Sequence, residues 1–109
     1  MSYKLFLDDE RFPVEDGELW IVVRSYKELL KCIITYGMPT FISFDHDLGE
    51  GKDGYDCAKW LVNICMDCDV DIPDFYVHSQ NPIGVASING YLNSVKNFIA
   101  KEKANIQYN

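Results

Sequence analysis

The chain has 109 residues, of which 48% are hydrophobic; this is enough apolar material for one compact domain, and the chain is too short for two. Ten basic and seventeen acidic side chains give a net charge of −7, which excludes unspecific binding to extended nucleic acid or to a membrane, because both need a cationic surface. No apolar stretch is long enough to span a bilayer, and no signal peptide precedes the first strand. We therefore expect a single cytoplasmic domain over residues 1–109.

Apolar, β-branched runs alternate along the chain with segments of helical periodicity. A capping-box sequence from Ser25 to Glu28 begins the first predicted helix, and Gly37 ends it. Strands are predicted over residues 3–8, 19–24, 40–46 and 74–78, and two further helices over residues 55–68 and 85–103.

Continuous apolar strands that alternate with helices are typical of a parallel sheet with helices on both faces. We therefore predict an α/β fold, a single three-layer domain with a short, mostly parallel sheet. About ten residues join the first two strands, which is near the lower limit for a crossover. Either this crossover is a loop without a helix, or the two strands are not parallel neighbours. We favour the loop, because it keeps all four strand ends on one side.

The four cysteines fit a reducing cytosol, and all of them fall in predicted helices. Cys65 and Cys68 form a C-x-x-C sequence at the end of a helix, whereas a redox motif begins one. No second pair follows at zinc spacing. We interpret the cysteines as small core residues, with one thiol partly exposed.

Two apolar strands end in acidic residues. Asp8 and Asp9 follow the first strand, and Asp45 and Asp47 lie at the end of the third. Carboxylates at buried strand ends need a shared counter-charge, and hard cations such as Mg²⁺ prefer carboxylate oxygens. The sequence therefore predicts a divalent-metal site of Asp8, Asp9, Asp45 and Asp47 beyond the carboxyl ends of the strands. The alternative is that the Asp8–Asp9 pair caps a turn.

The two histidines, His46 and His78, also lie at predicted strand ends. Histidine beside carboxylates is suited to proton transfer at neutral pH, so both are candidate catalytic residues together with Asp45. A structural role is the alternative. If the strand persists, alternation directs His46 away from Asp45 and Asp47.

A phosphate site is predicted beside these residues. Arg11 offers a planar fork that binds phosphate, or pairs with a surface carboxylate in the alternative interpretation. Ser79, Asn81 and Gly84 surround the start of the last helix, where free backbone N–H groups bind anions. The alternative is an ordinary N-cap by Asn81 or Ser79, with Pro82 in the first turn, and the two interpretations are compatible with each other.

Three of these features together resemble the response-regulator receiver fold: the acidic pair after the first strand in LFLDD, the Asp at the end of the third strand in SFDHDLG, and the hydroxyl residue Ser79 after the fourth. The resemblance implies that Asp8 and Asp9 bind Mg²⁺, that Asp45 accepts a phosphoryl group and that Ser79 reports it. The chain departs from a receiver by lacking the first helix and a fifth strand with its lysine. The expected fold is therefore a truncated, flavodoxin-like receiver.

The motifs DDERFP, FDHDLG with GKDGYD, and HSQNPIG resemble more closely the receiver-derived group of cyclic-phosphate processing domains, over residues 4–92. This resemblance implies a metal-assisted phosphoesterase that acts on RNA 2′,3′-cyclic ends or cyclic nucleotides, with Mg²⁺ or Mn²⁺ as cofactor. Two alternatives stay open. The chain is a phospho-accepting or degenerate receiver, or it is a non-catalytic module that holds a cyclic nucleotide or a protein partner.

Overall fold

The computed structural model describes residues 2–49 and 51–108. The strands are β1 (Lys4–Leu7), β2 (Trp20–Val23), β3 (Phe41–Phe44) and β4 (Asp74–Val77). The helices are α1 (Tyr26–Tyr36), α2 (Gly54–Cys68) and α3 (Pro82–Tyr108). No helix in the described ranges is both long and apolar enough to cross a membrane.

The four strands form one parallel sheet in the order β2-β1-β3-β4. The first two strands are parallel neighbours, and the loop of residues 8–19 joins them without a helix. This confirms the predicted loop crossover and the truncated receiver-like α/β fold. Because every pairing is parallel, the carboxyl ends of all the strands meet at one edge of the sheet.

The helices lie on one face of this sheet. Leu5, Leu7, Ile42 and Phe44 alternate onto that face and form a single core with buried side chains of all three helices. The links from β2 to β3 and from β3 to β4 move in the same direction across the sheet, so right-handed crossovers place both helices on the same side.

The opposite face differs from the predicted three-layer arrangement, because no helix in the described chain covers it. The link from β1 to β2 moves in the other direction across the sheet, and a helix in that link would lie on this face. The uncovered face carries Phe6, Trp20, Phe41 and Tyr76, whose apolar character made the strands resemble strands buried on both sides.

The helix ends follow local hydrogen bonding. Ser25 accepts from the backbone N–H of Glu28, as predicted, but the Glu28 carboxylate accepts from the N–H of Arg24, so the capping box is only half formed. Helix α3 begins at Pro82, three residues earlier than predicted, and it continues to Tyr108 because its last turns are rich in helix-forming Ala, Lys and Glu.

The predicted core role of the cysteines is confirmed. Cys32, Cys57 and Cys65 are buried, Cys68 is exposed, and all are free thiols. Burial raises the pKa of the Cys57 thiol to about 12 and that of Cys65 to about 11. Such thiols hold their protons at neutral pH and are poor nucleophiles.

Candidate functional site

Three polar side chains meet where the central strands end. The sheet register pairs Leu7 with Phe44 and Phe44 with Val77, so the next residues, Asp8, Asp45 and His78, follow side by side. One potential ligand atom from each of the three lies within 4.8 Å of the others. All three were predicted from the sequence as site residues, and the parallel register brings them together.

Asp8 is fully buried, and its carboxylate accepts four hydrogen bonds. Its Oδ1 accepts from the backbone N–H groups of Glu10 at 2.9 Å and of Arg11 at 2.8 Å. Its Oδ2 lies 2.9 Å from Arg11 Nε and 2.9 Å from His78 Nε2. Burial by itself would raise the pKa of Asp8, but these hydrogen bonds and the Arg11 charge outweigh it and lower the pKa to about 2.

His78 is held on both sides of its ring. Its Nδ1 lies 2.7 Å from the Ser43 hydroxyl oxygen, and the ring stacks on Phe6 with centroids 4.5 Å apart. Because Asp8 is ionised at neutral pH and has no proton to donate, Nε2 of His78 must carry the hydrogen between them. The basic nitrogen of the neutral ring is therefore Nδ1, which accepts from Ser43.

Asp8, His78 and Ser43 thus form a hydrogen-bond chain in which a carboxylate orients an imidazole and the imidazole contacts a hydroxyl. This is the order of groups that activates a hydroxyl or a water in many hydrolases. Ser43 was not predicted as a site residue. It could have been found as the one hydroxyl residue within the apolar strand FISF, two residues before Asp45.

Arg11 connects the Asp8–His78–Ser43 hydrogen-bond chain to Asp45. Its Nη2 lies 3.7 Å from the Asp45 carboxylate, which is the one ion pair of Asp45 within the described ranges. Arg24, a second residue that the sequence analysis missed, supports the loop that carries Arg11. It donates to the backbone oxygens of Asp8 and Arg11, and its guanidinium lies 4.5 Å from the Phe12 ring centroid.

A cavity of about 300 Å³ opens beside Arg11. Three of the four predicted metal ligands, Asp9, Asp45 and Asp47, line it. The fourth, Asp8, directs its carboxylate to Arg11 and His78 instead. Four carboxylates, those of Asp9, Glu10, Asp45 and Asp47, line this cavity together with the Arg11 guanidinium, and carboxylate oxygens are the ligands that a hard divalent cation prefers. We refer to this space as the acidic cavity.

The remaining predicted site residues cluster at the start of α3, and Asp47 of the acidic cavity contacts two of them, His46 and Asn81. His46 lies 2.9 Å from Asp47 through Nδ1 and 3.4 Å from Asp53 through Nε2. Its ring packs against Gly84, where a Cβ atom would overlap the imidazole. In the described part of the chain, His46 and His78 therefore share no hydrogen-bond or ion-pair partner.

The N-cap alternative for this cluster is confirmed. The Asn81 side-chain oxygen accepts from the N–H groups of Ile83 and Gly84, each at 3.1 Å, and the Ser79 hydroxyl accepts from the N–H of Asn81 at 3.1 Å. Pro82 occupies the first helical position. The backbone donor of Gly84 that was predicted to bind phosphate is thus already used by Asn81.

The low pKa of Asp8 predicts how stability depends on pH. The folded value of about 2 lies below the ordinary value of 3.8, so ionised Asp8 stabilises the fold above about pH 4, and this contribution is lost as the pH falls through about 2. The difference corresponds to roughly 2 kcal/mol. Urea unfolding between pH 5 and pH 2 should show that the wild type loses about this much more stability than Asp8→Asn.

The control for this measurement is Asp74→Asn, because the Asp74 side chain is 87% exposed and pairs only with Lys96 at 3.4 Å in the described structure. Its pH dependence should match that of the wild type. Equal pH dependence in the wild type and in Asp8→Asn would contradict the prediction.

Comparison with known proteins agrees with this geometry. No curated protein sequence matches the chain significantly. A solved structure in which a trimeric coiled-coil segment of yeast Spc42 is fused to another protein has a similar fold, with a TM-score of 0.55 and 19% sequence identity over 83% of this chain and 61% of that one. The chain thus spans about three fifths of that structure, and the likeness concerns the fold alone. The sequence model of the cyclic-phosphate processing receiver domain matches residues 3–94, which include every strand-end residue described above, and the chain belongs to this family.

Proposed function

We propose that this chain is a phosphoesterase that hydrolyses a small cyclic phosphate, such as an RNA 2′,3′-cyclic end or a cyclic nucleotide. The observation that carries the proposal is the Asp8–His78–Ser43 hydrogen-bond chain beside Arg11 at the carboxyl ends of the strands. This arrangement combines the imidazole of His78, which Asp8 orients, with the cationic guanidinium of Arg11, a group suited to phosphate binding. The family name supplies the class of ligand.

His78 is the proton-transfer residue in this proposal. Hydrolysis adds water to phosphorus, breaks one ring P–O bond and moves one proton from the water to the leaving oxygen. Asp8 keeps the hydrogen on Nε2, so Nδ1 is the basic nitrogen. The Ser43 hydroxyl passes its proton to Nδ1 as it takes one from the water, and the same path in reverse delivers a proton to the leaving oxygen. His46, which contacts Asp47 and Asp53, is given no proton-transfer step in this proposal.

Arg11 and the acidic cavity receive the phosphoryl oxygens. Arg11 presents its guanidinium between Asp8 and Asp45, and a planar fork of this kind binds two phosphoryl oxygens at once. Asp9, Asp45 and Asp47 would hold Mg²⁺ or Mn²⁺. When bound, the cation would supply positive charge to phosphoryl oxygens. It also offsets the repulsion between these carboxylates and an anionic substrate.

The proposal is tested by assaying the wild-type protein on 2′,3′-cyclic mononucleotides, 3′,5′-cyclic mononucleotides and a cyclic-ended oligonucleotide. We expect hydrolysis of at least one class with Mg²⁺ or Mn²⁺, and a loss of at least about tenfold with a chelator. Asp45→Asn should lower the activity similarly, whereas the exposed Asp74→Asn should not. A folded protein that is inert towards all of these substrates with metal present would contradict the proposal, and ligand recovered unchanged would support a binding module.

A second candidate is a phospho-accepting receiver, and the position of Asp45 favours it. Asp45 is buried at the end of β3 and lines the acidic cavity together with Asp9. Against it, the described chain has no fifth strand to supply the lysine of a receiver. Incubation with a small phosphodonor and intact-mass measurement separates the candidates, because a phosphoryl group on Asp45 without turnover of cyclic phosphates supports the receiver.

A further inference from the structure

The uncovered face of the sheet carries a cleft of about 400 Å³ between the strands and the loop of residues 11–14. Each strand contributes one aromatic ring to it: Phe6, Trp20, Phe41 and Tyr76. Phe12 faces these rings from the loop. We call this space the aromatic cleft. Its volume lies within the range of about 300–1,000 Å³ that is usual for small-molecule sites.

The rings of the aromatic cleft support one another in fixed orientations. Trp20 packs edge to face against Phe6 at 5.9 Å and against Phe41 at 6.1 Å between ring centroids. The Lys4 ammonium lies 5.4 Å from the Trp20 ring centroid, and the Trp20 indole N–H donates to Asp16 at 3.0 Å. Rings held in this way lose little conformational entropy when a ligand binds.

Two aromatic side chains of the cleft are largely exposed to water. Phe12 is 75% exposed and Tyr76 is 62% exposed. Phe12 is nevertheless held in place, because the Arg24 guanidinium stacks on it while donating to the Asp8 backbone oxygen. An exposed ring that is fixed by its neighbours presents a ready surface for stacking.

The aromatic cleft is continuous with the proposed phosphate site. Arg11, Ser43 and His78 line it as well; Arg11 and His78 contact Asp8, and Ser43 contacts His78. A ligand that fills the cleft therefore contacts aromatic rings of the protein as well as the Arg11 guanidinium and the His78 imidazole. A planar heterocycle joined to a phosphate is complementary to these two kinds of group.

We propose that the aromatic cleft binds the nucleobase of the substrate, so that the substrate is a nucleoside cyclic phosphate or the last nucleotide of an RNA end rather than a base-free cyclic phosphate. This inference rests on the proposed function. The base stacks on the rings of the cleft, while Arg11 and His78 receive the phosphate. Stacking on aromatic side chains strengthens binding by roughly 5- to 150-fold per base.

Calorimetry with three probes tests the inference: adenosine 2′,3′-cyclic phosphate, adenosine, and glycerol 1,2-cyclic phosphate. The base-free cyclic phosphate should bind roughly 5- to 150-fold more weakly than the nucleotide, and adenosine should bind measurably by itself. Phe12→Ala should weaken the binding of both adenosine probes by about fivefold or more and leave the binding of the base-free cyclic phosphate unchanged. The matched control is Ile34→Ala, which removes another exposed apolar side chain, from α1, outside the cleft.

The outcomes separate this inference from the proposed function. Adenosine binding that depends on Phe12, without hydrolysis of any cyclic phosphate, supports the aromatic cleft and contradicts the phosphoesterase. Hydrolysis with equal kcat/KM for substrates with and without a base, and no adenosine binding, overturns the inference and leaves the phosphoesterase standing. Dimerisation in sedimentation that Phe12→Ala abolishes, with no adenosine binding, also overturns it, because a second copy then occupies the face.

Discussion

Replacing His78 with Gln is expected to lower kcat/KM for cyclic-phosphate hydrolysis by about 10²- to 10⁴-fold. The Gln amide group reaches the position of Nε2 and can still donate to Asp8, so the buried carboxylate keeps a partner. The variant loses the basic nitrogen that contacts Ser43 at 2.7 Å. The measurement is steady-state hydrolysis of the best cyclic phosphate, with circular dichroism and urea unfolding to verify the fold.

His46→Gln is the matched comparison for this prediction. An acid–base pair of the two histidines predicts similar losses for both variants, whereas the proposed function assigns proton transfer to His78 alone. His46 is bound by Asp47 and Asp53 and packs against Gly84, so its replacement should act mainly on stability. A large loss of kcat/KM in His46→Gln, with wild-type stability, would contradict the assignment, as would full activity in His78→Gln.

Gly54→Ala is expected to destabilise the fold by about 3 kcal/mol. Gly54 is the first residue of α2, and its N–H donates to the His46 backbone oxygen at 2.8 Å. A Cβ at this position would overlap the Asp45 backbone oxygen and lie 2.9 Å from His46 Cα. These are backbone atoms of the strand end that carries the site, so the overlap is relieved only by moving α2 or the strand itself.

Gly90→Ala is the control, because Gly90 lies in α3, is exposed, and would place its Cβ in open space. This substitution should stabilise the fold by about 0.5–1 kcal/mol through helix propensity. Urea unfolding of both variants gives the comparison. A Gly54→Ala protein as stable as the wild type would show that the contact between α2 and the end of β3 is looser than the structure indicates.

Much of the fold could be predicted because it depends on local patterns. The strands were located within two residues at each end, since apolar and β-branched runs report burial directly. The caps by Ser25 and Asn81 were also predictable, because each side chain bonds a backbone N–H only two or three residues away. The carboxylates at strand ends identified the edge of the sheet at which the candidate site lies, because unpaired charge does not continue into a buried strand.

The sequence by itself thus determined the order of elements, the parallel sheet, and the edge at which Asp8, Asp45 and His78 meet. Only the tertiary structure decided which face of the sheet the helices cover, because alternation along a strand separates its two faces without saying what packs on each. It also decided the partners of the site residues. The bonds of His78 join residues 35 and 70 positions apart, and such contacts follow from sheet register and loop path, which no local pattern encodes.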